Sequence, residues 1–326
     1  MRGLVIKSTG SSYIVRLDGG SDVECHIKGN FRIRGIRSTN PVAVGDYVTV
    51  EESGVKSQET GATTLWITDV EERRNYIIRR STNLSKESHI LAANIDQVAL
   101  IITVNHPVTS TTFIDRFLAT CEAYRVPAIL IFNKIDLLTE EELQQIADLR
   151  ALYESIGYPT VELSAISLKP SEILPILQGK VTLLSGNSGV GKSTLLNALF
   201  GREMTRTGKI SDAHDKGMHT TTFSEMYFLD QITNHKSQFT NINAGALIDT
   251  PGIKGFGSVD FQREEISHYF RDIFRVGRDC RFGNCTHTNE PHCAVQEALV
   301  RGEIAISRYE SYLSLLDETT EGKYRA

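Results

Sequence analysis

Lys192 and Ser193 close the stretch Gly186-Asn187-Ser188-Gly189-Val190-Gly191-Lys192-Ser193. Its glycines let backbone N–H groups converge on an anion. The spacing is that of a phosphate-binding loop, G-x-x-x-x-G-K-[ST]. In such a loop Lys192 bridges the β- and γ-phosphates and the Ser193 hydroxyl goes to Mg²⁺. Thr194 opens the following helix, whose N-terminus favours an anion. An apolar run at 181–184 precedes the loop and a helix-like run at 194–200 follows it, which is the context the motif needs. The competing reading is a glycine-rich turn between a strand and a helix.

Asn133-Lys134-Ile135-Asp136 follows the apolar run 128–132. A carboxylate at Asp136 accepts from guanine N1–H and its 2-amino group, and adenine offers neither donor. Asn133 is expected to hold N7 and its neighbours, and the Lys134 stem to cover the base plane. Leaving a buried carboxylate unpaired is costly, which is how one residue discriminates strongly. Ser164-Ala165 ends another apolar stretch and fits a loop whose backbone N–H reaches guanine O6. Asp249-Thr250-Pro251-Gly252 ends a further strand. Asp249 is expected to order Mg²⁺ through water and the Gly252 N–H to meet the γ-phosphate. Between the two phosphate motifs lie Thr220, Thr221 and Thr222. One of these hydroxyls, taken as Thr221, completes the Mg²⁺ shell, or the triplet merely starts a strand.

The order of these motifs departs from the ordinary Ras-like arrangement, in which the phosphate loop comes first. Here 133–136 and 164–165 precede 186–193. Ligands bind at the C-terminal ends of parallel strands whatever the chain order, so the sheet is expected to be circularly permuted. Ile253 stands where a glutamine usually orients the attacking water, and isoleucine cannot do that. The segment after Gly252 runs directly toward the C-terminus, which would couple nucleotide state to that region.

Cys280, Cys285, His287 and Cys293 fall within fourteen residues. Three thiolates and one imidazole make a closed tetrahedral set for structural zinc. A reduced cysteine cluster, a redox pair, or His292 in place of His287 are the alternatives.

These motifs require elements to position them. Residues 1–72 read as short strands, among them 13–17, 23–27, 44–50 and 64–68, and suit a small OB-fold barrel. Up to Asn40 this segment carries Arg2, Lys7, Arg16, Lys28, Arg32, Arg34 and Arg37 against Asp18, Asp22 and Glu24. That excess suits an RNA-binding face, or only a solvated surface. Residues 73–260 alternate apolar strands (98–104, 128–132, 160–163, 181–184, 246–249) with helices, the mark of an α/β parallel sheet. One helix starts at Thr139 with Glu142 completing a capping box. Residues 261–326 read as mainly helical, with helices at 261–274 and 293–316 around the metal ligands. The chain of 326 residues has 40% hydrophobic residues and a net charge of −5. It shows no run of about 18 apolar residues for a membrane span and no signal peptide. A cytoplasmic protein without membrane attachment is expected, with reduced cysteines.

The combined set resembles the ribosome small-subunit-dependent GTPase A family (RsgA/YjeQ). The residues that carry this resemblance are Asn133–Asp136, Gly186–Ser193, His219–Thr222, Asp249–Gly252 and the Cys280/Cys285/His287/Cys293 set. The resemblance implies GTP hydrolysis to GDP, stimulated by the small ribosomal subunit, in late maturation of that subunit. It implies barrel and zinc-domain contacts with ribosomal RNA, and a monomer away from the ribosome. It also implies a catalytic, water-orienting role for His219, which would answer the loss left by Ile253. Residues 209–218 are less rich in Gly and Arg than the switch of that family. The rival reading is an RNA-binding scaffold that holds GTP as a structural ligand.

Overall fold

The computed structural model describes residues 1–9, 12–27, 38–56, 63–80, 88–204, 224–233, 242–250 and 261–321. The expectations for His219, Thr220–Thr222, Gly252 and Ile253 lie outside the described residues.

The N-terminal strands are β1 (Arg2–Ser8), β2 (Tyr13–Leu17), β3 (Asp22–Ile27), β4 (Ser38–Asn40), β5 (Tyr47–Lys56) and β6 (Thr63–Val70). Five of them close a ring in the order β1-β2-β3-β6-β5-β1, parallel only between β3 and β6. Closure leaves the barrel no free edge. Alternate residues point inward, so Val5, Tyr13, Val15, Cys25, Val48, Val50 and Ile67 form its core. Cys25 is thus a packing residue.

Strand β4 joins β7 (Tyr76–Arg80) and β8 (Ser88–Ala93) in a separate three-stranded sheet. Sequence reading missed this sheet, because its strands are short and β4 pairs with β8 about 50 residues away.

The central sheet contains β9 (Gln97–Ile102), β10 (Ala128–Phe132), β11 (Thr160–Glu162), β12 (Val181–Ser185), β13 (Ser224–Phe228) and β14 (Ala246–Asp249). Their order is β11-β10-β9-β12-β14-β13, with only β13 antiparallel. Helices α1 (Thr111–Ala123), α2 (Glu140–Ser155), α3 (Pro170–Leu177), α4 (Lys192–Phe200) and the short α5 (Asp230–Thr233) accompany it. Strands β9, β10 and β12 are buried throughout, as parallel strands covered on both faces must be. Each face has its own core: one holds Leu100, Leu130 and Leu183, the other Ile101, Ile131 and Leu184. Helix α2 starts on the expected capping box, with Thr139 and Glu142 bonding reciprocally. The outer strand β13 also pairs with β1, Lys7 opposite Glu225 and Ser8 opposite Ser224. The barrel therefore extends the central sheet.

The C-terminal region holds α6 (Arg271–Gly277), α7 (Ala294–Val300) and α8 (Ile306–Glu321). Both long helices expected there are broken. The first is a 3₁₀ turn over Arg263–Tyr269 before α6. The second is interrupted at 301–305, where Gly302 has φ +73°, a left-handed geometry suited to glycine. A third core of Phe261, Ile266, Phe270, Ile273, Val295, Tyr312 and Leu316 includes Ala119 of α1. Among the described residues, no helix is long and apolar enough to cross a membrane.

Candidate nucleotide site and metal knuckle

The motifs at 133–136, 164–165, 186–193 and 249 all sit at the C-terminal ends of neighbouring parallel strands. Asn133 joins three of them. Its side chain is buried. Nδ2 donates to the Val190 carbonyl at 2.7 Å, and Oδ1 accepts from the Ala165 N–H at 2.9 Å. Segments 57 and 32 residues away are clipped by one amide. Asn133 keeps one amide hydrogen and one acceptor site beyond these bonds.

This clip explains Gly191. Its φ is +100°, and a Cβ there would lie 2.4 Å from Asn133 Nδ2. Gly186, at φ +141°, approaches the Ile101 carbonyl closely enough that a Cβ would sit at 2.6 Å. The loop is therefore pressed against the ends of β9 and β10. Asn187 and Ser188 are half-buried, Gly189 is exposed, and Ser193 and Thr194 are half-buried at the start of α4.

Lys192 is buried inside the loop, and Nζ donates to the Gly186 carbonyl at 2.7 Å and the Asn187 carbonyl at 2.8 Å. Burial pushes its pKa down to about 8, while the nearby Asp249 charge pulls it up. Asp249 is buried and lies opposite Leu184 across the β12–β14 ladder. The Ser185 and Thr250 hydroxyls, next to Gly186 and Asp249, are buried with no hydrogen-bond partner among the described residues. Such groups normally find partners, so a polar ligand suits this end of the sheet. Sequence reading missed both.

On the base side, Ser164 Oγ donates to Asp136 Oδ1. Asp136 is exposed rather than buried. Its carboxylate can accept further bonds, and a base laid over it would provide the burial. Lys134 adopts left-handed backbone geometry, φ +66°, and Nζ donates to the His106 carbonyl. Burial lowers its pKa, with Asp136 opposing. The Ala165 N–H, expected to face a base, is donated to Asn133.

The metal knuckle is separate. The donor atoms of Cys280, Cys285, His287 and Cys293 all lie within 4.8 Å of one another. Both Cys280 Sγ and Cys293 Sγ stand 3.5 Å from His287 Nδ1, and 3.9 Å from each other. Zinc–sulfur and zinc–nitrogen bonds at tetrahedral angles place sulfurs about 3.8 Å apart and sulfur about 3.6 Å from nitrogen. His287 is buried, whereas His292 is exposed and outside the cluster. Burial raises the Cys285 thiol to about 12, raises Cys293, and lowers His287. A divalent cation among them would reverse the thiol preference. Gly277 leaves room for the imidazole, since a Cβ would lie 3.0 Å from Cε1 and Nε2 of His287. Tyr309 and Tyr312 of α8 donate to the carbonyls of His287 and Thr286. Glu290 accepts from the Thr286 hydroxyl and from the N–H groups of Thr286 and Thr288. Burial alone would raise Glu290, but these bonds bring it down to about 2.

A parallel sheet with a phosphate loop reached after its base-reading motif, a strand barrel before it and a metal knuckle after it defines a circularly permuted P-loop GTPase. Comparison with known proteins agrees. Residues 70–259 match the family described as RsgA GTPase, and residues 2–62 match the RsgA N-terminal domain. The chain belongs to the RsgA GTPase family. It is 55% identical to the "Small ribosomal subunit biogenesis GTPase RsgA" of Phocaeicola vulgatus, over 100% of this chain and 99% of the relative. It is 56% identical to "Small ribosomal subunit biogenesis GTPase RsgA 2" of Bacteroides thetaiotaomicron, with the same coverage. Among solved structures, YjeQ from Thermotoga maritima matches with TM-score 0.70 and 31% identity over 98% of each chain. YloQ, described as a circularly permuted GTPase, matches with TM-score 0.65 and 26% identity, over 100% of this chain and 96% of its own.

Proposed function

We propose that this chain binds the small ribosomal subunit in its GTP form and acts in late maturation of that subunit. Hydrolysis to GDP and phosphate, accelerated by the subunit, would then release it. The printed names of its relatives support the partner. The observation that supports the nucleotide half is the Asn133 clip, which ties the segment carrying Asp136 to the 186–193 loop and to Ala165.

In this reading Asn133, Lys134, Asp136, Ser164 and Ala165 surround the base. Residues 186–194 hold the phosphates, with Asp249 and Gly252 at the γ end. Ser193, Thr221 and Asp249 would hold Mg²⁺, which supplies charge neutralisation between the phosphates. The place of Asp249 beside the loop and the Ser185 and Thr250 hydroxyls support this fit. Lys192 orients the triphosphate, and His219 orients the attacking water in place of the glutamine that Ile253 supplants.

Cys280, Cys285, His287 and Cys293 would hold one zinc ion, which supports the fold and performs no chemistry. Their mutual distances suit a closed tetrahedron. The barrel, residues 1–72, and the knuckle region, residues 261–326, contact ribosomal RNA on either side of the GTPase domain, residues 73–260. The protein works in the cytoplasm, as a monomer away from the ribosome.

The test is GTP turnover with and without purified small subunits at several salt concentrations. Stimulation that weakens with salt is expected. GTP bound but not turned over, with or without subunits, would favour the scaffold reading.

A further inference from the structure

A cavity of about 450 Å³ opens beside the metal knuckle. A metal ion at its floor would fill little of it, since a water-sized sphere takes about 10–15 Å³. Phe274 and Phe282 line it, and they are 42% and 43% exposed. The His268 ring meets Phe274 edge-on at 5.0 Å. Arg278 lies 5.9 Å from the centre of the Phe274 ring, and Arg281 lies 5.6 Å from that of Phe282.

These arginines differ from most others in the chain. Arg2, Arg16, Arg73, Arg74, Arg116, Arg150, Arg271, Arg301 and Arg308 are ion-paired to acids. Arg278 and Arg281 are exposed and form no ion pair among the described residues. Two guanidinium groups without ion pairs thus adjoin two exposed rings. Glu264 and Glu265 also line the cavity. They would repel a phosphate placed inside, and would accept from base amino groups.

We propose that this cavity takes one unstacked base of single-stranded RNA, stacked on Phe282, with its flanking phosphates on Arg278 and Arg281. Aromatic rings beside arginines recognise unpaired bases in this way. The inference rests on the small-subunit reading above, and names the chemistry by which the knuckle region would meet that partner.

The experiment uses the full-length, zinc-loaded protein with two probes: purified small subunits and a short single-stranded oligoribonucleotide. Phe282→Ala should weaken binding to both by about 5- to 150-fold, the range for one lost base–aromatic stack. Phe282→Tyr should bind like the parent. Arg278→Ala should lower the salt slope of oligonucleotide binding by about 0.7, as one lost single-strand phosphate contact would. Zinc content is measured for every variant. If Phe282→Ala loses metal, Phe282→Tyr and Arg278→Ala decide alone. Wild-type binding by Phe282→Ala with intact metal overturns the proposal. So does lost subunit binding with unchanged oligonucleotide binding, which would mean that this face meets a protein. Phe282-dependent oligonucleotide binding by a chain that never binds subunits would keep the cavity and reject the small-subunit function.

Discussion

The nucleotide site and the metal knuckle are built by opposite means. The first gathers residues 133, 165 and 190 from distant segments, and the buried strands beneath hold them in place. Its geometry is set by the fold. The second draws four donors from fourteen neighbouring residues, on a stretch with little regular structure between α6 and α7. There the ion would set the geometry. A ligand lost from the first should leave an intact protein, and a ligand lost from the second should not.

The largest effect expected is therefore at the knuckle. Structural zinc contributes on the order of 10–16 kcal/mol in isolated fingers at neutral pH. Cys285→Ser should release the metal and unfold the region from Cys280 onward, while the central sheet stays folded. Metal content with hydrogen exchange measures both, and unchanged content would exclude Cys285 as a ligand.

A second contrast concerns how the terminal domains are attached. The barrel joins through the short β1–β13 ladder, a half-buried pair, Lys7 to Glu225 at 2.9 Å, and packing of Leu4 and Ile6 into the core of one sheet face. The C-terminal region joins through Arg308, only 1% exposed, which pairs with Asp115 of α1 at 2.7 Å and Asp272 of α6 at 2.8 Å. Tyr153 of α2 donates to the same Asp115 carboxylate. Arg308→Ala would leave two buried carboxylates without their cation, at a cost of about 3–5 kcal/mol. Lys7→Ala should cost under about 1 kcal/mol. Equal losses in denaturant titration would erase the contrast.

The smallest effect concerns pH. Lys192 is held down to about 8, chiefly by burial, and a triphosphate would favour its charged form. Affinity for GTP should be full below pH 8 and decline as pH rises through that value. Binding near pH 8 should take up a fraction of a proton, readable by calorimetry in buffers of different ionisation enthalpy. Loss of affinity in the opposite direction would contradict the assignment of Lys192.

Much of this was legible in the chain. Four of the five parallel strands are largely apolar runs, and the phosphate loop, Thr139 cap and metal spacing are local patterns. What escaped was non-local. The Asn133 clip depends on Val190 and Ala165 arriving beside it, and no spacing rule reports that. In the β4-β8-β7 sheet, β4 pairs with β8 about 50 residues away. The Arg308 hub crosses 193 residues to reach Asp115. The break at Gly302 was visible, since glycine is a common helix stop, but the apolar pattern on both sides masked it. Burial of Asp136 was expected from the chemistry of a bound base, and the protein alone does not provide it.

The central claim is that reordered segments form one guanine-specific pocket. Asp136→Asn tests it most directly through competition between GTP and XTP. Xanthine carries a carbonyl where guanine has its amine, so the amide should move preference from GTP toward XTP. A variant that still prefers GTP as strongly as the parent would contradict the account.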